Sequence, residues 1–526
     1  MRGRYLLGAA ALLVTVIVAV VVVAVVFGSS NATLTPDSQA LAKVGMPLGG
    51  GKIENVTVVS GPHSERVPAE VKGNQIWPSG LVPAGSSVSL DVAVKRTGLT
   101  SFLGGATKHL RLTLKTPGAK LRQHYLTLAP GAPLRLAFQA PIDVIAYGAP
   151  GHLSRHVLGS PQREVTLPRA ADAGTIYVAA APRSWEKSSA AVVSWFPAGS
   201  GASAVATPAP GTRIMPDKPI SLTFSRTVQQ ALGSARPPVS PATAGTWHDL
   251  DSHTIVFKPE GYGYGLGVPV SIALPAGVRL VGGQAGSANG GRWMVPPGST
   301  LRLQQMLATL GYLPVRFHSF GSDVALTSRA QETAAIHPPM GSFPWRYSNT
   351  PSALQADWKP GASGVVTKGA LMAFENDHGL TTDGVAGAAV WRALFGAIIA
   401  GHDSTFGYSF VSASTSSERL SLWHSGHTVL TTPINTGIAS APTATGTYPV
   451  FEHISSGTMS GTNPDGSSYN DPGIQFISYF NGGDALHAFT RAQYGSPQSL
   501  GCIEMSLGPA GQVWPDTPIG TLVHVD

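Results

Sequence analysis

Twenty-two residues near the start of the chain, Leu6 to Phe27, carry no charge and a single hydroxyl, Thr15. As a helix rising ~1.5 Å per residue, this run matches a hydrocarbon core of ~30 Å. Arg2 and Arg4 precede it. Positive-inside asymmetry then makes residues 1–5 a cytoplasmic tail, 6–27 a transmembrane anchor, and everything after it extracytoplasmic. A cleaved signal peptide is the rival reading. Against it, the run exceeds the ~7–15 residues of a signal peptide's apolar core, and Ser30-Asn31-Ala32 is a weak cleavage site. The expectation is a single-pass protein of the cell membrane, with the cytoplasmic membrane as a partner through this helix.

The roughly 500 residues that follow amount to three or four domains at roughly 100–200 residues each. Charged residues make up only 12%, while there are 62 glycines and 42 prolines, a composition of turn-rich β-domains rather than long helices. The net charge of +7 comes without Lys/Arg-rich runs or aromatic–basic interleaving, so nucleic acid is not an expected partner. Residues 28–50 are rich in Ser, Thr, Gly and Pro without periodicity, which predicts a linker. "SSVSLDVAVKR" (Ser86–Arg96) and "KHLRLTLKT" (Lys108–Thr116) alternate apolar and polar residues, the period of half-buried strands. They place a β-sandwich-like region at 51–200, in one domain or two. A proline-rich joint then opens a second β unit at 207–290, with strand candidates Ile220–Ser225, His253–Pro259 and Val268–Pro275. There His248, His253, Tyr262 and Tyr264 read as turn and strand-face residues. From 298 the period becomes helical: Leu303, Met306, Leu307 and Leu310 fall on one face, and Gly311 stops the helix.

The last ~120 residues return to strand patterns. "RLSLWHSGHTVLTTPINTG" (Arg419–Gly437) reads as a hairpin turning at Ser425-Gly426. They also hold the only cysteine, Cys502, in "GSPQSLGCIEMS". A lone cysteine outside the cell is a buried bystander, an intermolecular link or a reactive thiol. His487 precedes it by fifteen positions, on a strand followed by a loop that can fold back. An adjacent imidazole can take a thiol's proton and hold the pair as an ion pair. Gly501 removes a side chain where a carbonyl must approach, and its backbone freedom can aim N–H groups at an oxyanion.

These residues resemble the L,D-transpeptidase catalytic domain, whose motif is a His, a loop, and Ser/Thr-x-Gly-Cys. The matching positions are His487, Ser499, Gly501 and Cys502. Upstream, Thr436, Gly437, Thr443, Thr445, Gly446 and Tyr448 match the family's "TG…TPTG" turn, and "TPIGTLVHV" matches its closing strand. The resemblance covers 404–526. "LQQMLATLGYL" and "ALMAFENDHGLTTDGVAGAAVWRAL" resemble the two halves of a peptidoglycan-binding-like module, placed at 298–398 with an insertion from Arg316 to Ser363. The 207–290 unit resembles the immunoglobulin-like modules that precede the catalytic domain in actinobacterial-type relatives. The expected architecture is therefore multidomain and mainly β: a transmembrane helix, Ig-like β-sandwich domains, a small α-helical peptidoglycan-binding-like module and a β-rich catalytic domain.

The resemblance implies a cysteine acyltransferase forming 3→3 cross-links between peptidoglycan stem peptides, a tetrapeptide donor and an acceptor, through a thioester. Cys502 would be the nucleophile, His487 its base, and the Ala488 carbonyl the group orienting the His. The N–H groups around Gly501 and Cys502 would hold the oxyanion, Ser499 would support the loop, and Ser499, Leu500, Tyr479 and Glu504 would meet substrate. No cofactor and no metal is implied. His424, His427, His453 and Asp484 fit no ligand spacing, and His402, Asp403 and Glu418 read as linker and turn residues. Tyr479, with Trp423 and Phe476, packs or lines the cleft. Relatives carry His where this chain has Leu500, and Arg or Asn where it has Glu504, which shifts substrate recognition. Glu504 then faces a substrate amine or lies exposed to solvent. Outside this family stand a sortase-like enzyme, an L,D-carboxypeptidase and a non-catalytic wall-binding scaffold.

Overall fold

The alternation at Ser87–Lys95 becomes a central strand: Val88, Leu90, Val92 and Val94 are buried while Ser87 and Lys95 face solvent. The computed structural model describes residues 17, 31–46, 51–96, 101, 106–169, 171–187, 190–282 and 291–526. The tail 1–5 and, Ile17 apart, the anchor 6–27 lie outside these described residues. Among the described residues no helix is long and apolar enough to cross a membrane. The chain divides into two compact units, Met1–Val205 with Thr223–Arg226 and Gly277–Gly282, and Ala206–Leu222 with Thr227–Ala276 and Gly283–Asp526.

Among its described residues the first unit holds two large cores and a small cluster of Ala173, Phe196 and Val205. One packs Leu41, Val58, Ile76, Val88 and Trp185 between two four-stranded sheets. The other packs Leu134, Phe138, Ile142, Val178 and Trp195 on a five-stranded sheet. The linker expected at 28–50 is corrected here: Thr33–Pro36 pairs antiparallel with Ala42–Gly45. The short apolar stretch Leu41-Ala42, with Val44, is fully buried. The Asp37 carboxylate accepts the backbone N–H groups of Gln39 and Ala40, each at 2.8 Å, and so folds the turn between the strands. Ser, Thr and Pro, read as flexibility, are here turn and edge-strand residues.

In the second unit, Gly245–Asp249 pairs with Thr254–Pro259, and Val239–Ser240, Pro269–Ile272 and Arg292–Met294 form a small sheet over Val270 and Trp293. Helix Thr300–Thr309 follows its periodicity: Leu303, Met306 and Leu307 are buried, as is Leu310 at its C-cap. Helices Val365–Asp377 and Ala388–Ala400 complete the module. The insertion 316–363 adds helices Ser328–Ile336 and Ser352–Asp357 and packs against the C-terminal domain. Its Tyr347 meets Trp423 edge-on at 5.1 Å and reaches Ser425 Oγ at 3.3 Å, while Asn349 donates to the Gly426 carbonyl. The Val365–Asp377 helix touches the same domain backbone to backbone. A Cβ on Gly369 would stand 2.5 Å from the Gly520 carbonyl oxygen.

The C-terminal domain is two packed sheets. The first runs His427–Pro433, Arg419–His424, Ser409–Ser414, Leu522–Val525, Gly446–Pro449. Ser425 and Gly426 both have positive φ, as the expected two-residue hairpin turn demands. The second runs Glu452–Thr462, Ser468–Asn481, Asp484–Ala488, Ile503–Met505. Val411, Leu422, Phe480, Leu486, Ile503 and Met505 fill the space between them.

Candidate active site

Strands Asp484–Ala488 and Ile503–Met505 run parallel, pairing Leu486 with Ile503, His487 with Glu504 and Ala488 with Met505. Side chains alternate along a strand. Leu486, Ala488, Ile503 and Met505 enter the core between the sheets. His487, Glu504 and Cys502 therefore share the opposite face, with Cys502 diagonal to His487. Such diagonal neighbours lie ~7–8 Å apart at Cα, within reach of side chains turned toward each other. Ala485 and Cys502 pack there with Ile474, Ile477, Tyr479 and Phe489.

His487 is buried, and its Nδ1 bonds to the Ala488 carbonyl at 3.0 Å. That bond requires the proton on Nδ1 and leaves Nε2 as the ring's acceptor. Burial holds the imidazole below its ordinary pKa. Cys502 is half-buried, and its thiol donates to the Gly483 carbonyl at 3.6 Å. Burial, with the carboxylates of Asp484 and Glu504 adding to it, pushes this thiol up to about 12, against the pull of the Ala485 N–H. Burial thus disfavours the charged form of both groups, which works against a standing thiolate–imidazolium pair.

The loop between the two strands is fastened from below. Asn435 is buried, exchanges backbone hydrogen bonds with Glu504 at 3.0 Å, and accepts the Gly495 N–H on its side chain at 3.0 Å. Gln498 and Ser499 both donate their backbone N–H to the Thr436 carbonyl. Thr436 is itself held by the carboxylate of Glu418, on its N–H at 2.8 Å and on its hydroxyl. Glu418, read as a turn residue, is buried with φ +48°. Gly437 donates to Thr443 Oγ1 at 2.8 Å, which ties the two ends of the "TG…TPTG"-like turn.

This geometry bears on three expectations. Ser499, expected to meet substrate, is buried. Its hydroxyl donates to the Cys502 carbonyl and accepts the Gly501 N–H at 3.2 Å, so it shapes the turn. The Gly501 N–H is thereby engaged within the turn. The need for glycine here is steric: φ is +121°, and a Cβ would stand 2.3 Å from Asp484 Oδ1. Glu504 neither faces a substrate amine nor lies in solvent. It is buried and gripped by Arg491, Nε to Oε2 at 2.8 Å and Nη2 to Oε1 at 2.7 Å. Arg491 also lies 4.5 Å over the Phe489 ring and donates to the Gln498 carbonyl. The charge reversal at Glu504 is thereby answered from the loop. Leu500 and Tyr479 are half-buried, and Tyr479 stacks on Phe451 beside the cysteine.

Sequence reasoning missed Arg491 and Asn435, and took Asp484 only as a metal-ligand candidate. A signal for Arg491 was present: residues 404–526 contain two cationic side chains, Arg419 and Arg491, against eight carboxylates. A buried acid in such a domain has few places to find a partner. His453 stacks on Trp514 and His424 bonds Ser409, each with its own structural partner. Among the described residues no group of three potential ligands is placed to hold a metal ion.

The family model of the L,D-transpeptidase catalytic domain matches residues 408–525. The C-terminal domain belongs to the L,D-transpeptidase catalytic-domain family. A peptidoglycan binding domain model matches residues 347–394, which begins inside the insertion and omits the first helix of the module. No curated protein sequence matches the chain. Among solved structures, an L,D-transpeptidase from Mycobacterium smegmatis is similar at 11% identity and a TM-score of 0.21, over 61% of this chain and 96% of that one. L,D-transpeptidase 3 from Mycobacterium tuberculosis is similar at 13% identity and 0.21, over 61% and 97%. The catalytic domain of the E. faecium L,D-transpeptidase is similar at 22% identity and 0.22, over 23% and 100%. The L,D-transpeptidase assignment rests on the match over 408–525, within which His487, Gly501 and Cys502 all fall.

Proposed function

We propose that this chain is a peptidoglycan L,D-transpeptidase acting through a thioester on Cys502, tethered to the outer face of the cell membrane by Leu6–Phe27. The observation that carries the chemistry is the parallel register that puts Cys502 and His487 on one sheet face inside the matched domain. His487 Nε2 takes the thiol proton as Sγ attacks the carbonyl of the third residue of a tetrapeptide stem. With the Gly501 N–H engaged, the Cys502 N–H faces the developing oxyanion. The C–N bond to D-alanine breaks, the imidazolium returns its proton to the leaving amine, and a thioester remains. The side-chain amine of a second stem then attacks that carbonyl. Its proton passes through His487 to the departing thiolate. The acceptor competes with water at ~55 M, so it must be bound and oriented.

A thiol held up to about 12 suits this sequence: the charge appears only when substrate supplies donors and His487 is aligned. The match over 347–394 supports contact of the module with wall polymer. Intact-mass analysis of the full chain in detergent, mixed with a disaccharide-tetrapeptide, tests the reading. A mass gain equal to the stem less D-alanine is expected on Cys502, absent in Cys502→Ala and reduced at least ~100-fold in rate in His487→Ala. D-Alanine release without any adduct or dimer would contradict the thioester.

A further inference from the structure

Two carboxylates flank the nucleophile, and only one has a counter-ion. Glu504 is neutralised by Arg491 through two short hydrogen bonds. Asp484 opens the strand that carries His487, and the Cys502 thiol rests on the carbonyl of its neighbour Gly483 at 3.6 Å. Its Oδ1 fills the space where a Gly501 Cβ would stand. Asp484 is half-buried, and its carboxylate is met by the Asn481 amide at 3.4 Å and by the Ala444 backbone N–H. Among the described residues no Lys, Arg or His forms an ion pair with it, and within 404–526 the only cations are Arg419 and the committed Arg491.

An unpaired carboxylate beside a nucleophilic thiol works against the thiolate, since like charges close together disfavour ionisation. Asp484 contributes to holding Cys502 protonated, after the larger effect of burial. The placement makes chemical sense if the substrate brings the cation. The attacking group of the second half-reaction is an amine, an ammonium in solution, and it must arrive beside the Cys502 carbonyl adduct.

We infer that Asp484 is the docking point for the ammonium group of the acceptor stem peptide, the specificity-determining contact that selects a diamino-acid side chain at the thioester. The inference rests on the L,D-transpeptidase reading and deepens it. Glu504, the acid that the motif comparison singled out, is excluded from this role by Arg491, and Asp484 takes it instead. The acidic excess of the domain, eight carboxylates against two cations, adds a field of the same sign.

The test uses the full chain in detergent and thiol reagents of different charge. Cys502 is alkylated with neutral iodoacetamide and with cationic 2-bromoethylamine, and each rate is divided by that for free cysteine. The wild type is expected to favour the cation by about tenfold, as for opposite charges a few ångströms apart in a partly buried site. Asp484→Asn, which keeps the shape and one acceptor oxygen for the Asn481 and Ala444 donors, is expected to abolish that preference. It should also speed iodoacetamide several-fold, and raise the KM for the amine acceptor about tenfold. Salt up to 1 M should erode the wild-type preference, a second reading that needs no variant. An unchanged cation preference in Asp484→Asn, or one insensitive to salt, overturns the inference. Absence of both adduct and dimer in the wild type contradicts the enzymatic reading itself and is seen in a separate assay.

Discussion

Replacing Arg491 with alanine strands the carboxylate of Glu504, which is 3% exposed and otherwise closed in by the strand pairing. Breaking a buried ion pair from one side costs ~3–5 kcal/mol. The Arg491 side chain is 30% exposed, so water reaches the gap and the lower end, about 3 kcal/mol, applies. Glu504→Gln is milder. It retains an acceptor for Arg491 and leaves the cation with access to solvent, so about 1–1.5 kcal/mol is expected. The pair closes the loop that presents Cys502, and the loop's own amides report its opening: Gly495 N–H to Ile434 O, Gln498 N–H and Ser499 N–H to Thr436 O. Hydrogen exchange on the full chain should show these amides losing protection roughly 100-fold in Arg491→Ala and about tenfold in Glu504→Gln, at 1.4 kcal/mol per factor of ten. The double variant should open less than the two losses combined, because the second change removes a charge already unpaired. Additive losses, or less than a threefold change in Arg491→Ala, would refute the clamp.

The remaining predictions concern charge and space. With the Cys502 thiol held up to about 12, its alkylation by iodoacetamide should climb about tenfold per pH unit from 7 to 9. A plateau below pH 8 would show a preformed thiolate. Gly501→Ala forces a side chain onto φ +121° and against Asp484 Oδ1. Asp484 can rotate away, so backbone strain of ~1–3 kcal/mol remains, and D-alanine release should fall roughly 10–100-fold while the thermal midpoint drops by about 4–8 °C per kcal/mol of that strain. Retention of wild-type rate would sink this account of the glycine. Glu375, buried in the module, accepts the Gly384 N–H at 2.8 Å on one oxygen and has no partner on the other. Burial raises its folded pKa from 4.5 to about 7. An acid raised in this way weakens the fold as pH climbs from about 4.5 to 7. Glu375→Gln should therefore raise the thermal midpoint at pH 8 and leave it unchanged at pH 4; a loss of stability at pH 8 would contradict the assigned cause.

Local patterns carried much of the fold. The alternation at Ser87–Lys95 and the helical face of Leu303, Met306 and Leu307 went directly into buried positions, because period and burial are set by neighbours in sequence. The Ser425-Gly426 turn was legible for the same reason. The strands at 33–45 were not: four residues each, they owe their stability to a core whose other side chains come from Ile76, Val88 and Trp185. At the site, motif spacing singled out Cys502, His487 and Gly501 as candidates. The grip of Arg491 on Glu504 depends on a strand register and a loop closure that no local pattern encodes. The inward hydrogen bonds of Ser499 and Glu418, to the Cys502 carbonyl and to Thr436, were not legible for the same reason.

The central claim is that Cys502, served by His487, joins two stem peptides. The measurement that meets it most directly is mass spectrometry of muropeptides after incubating the full chain in detergent with purified disaccharide-tetrapeptide, beside Cys502→Ala. The account predicts a cross-linked dimer lacking one D-alanine, formed by the wild type and absent with the variant. Equal dimer in both samples, or none in the wild type despite a folded domain and an alkylatable Cys502, would contradict it.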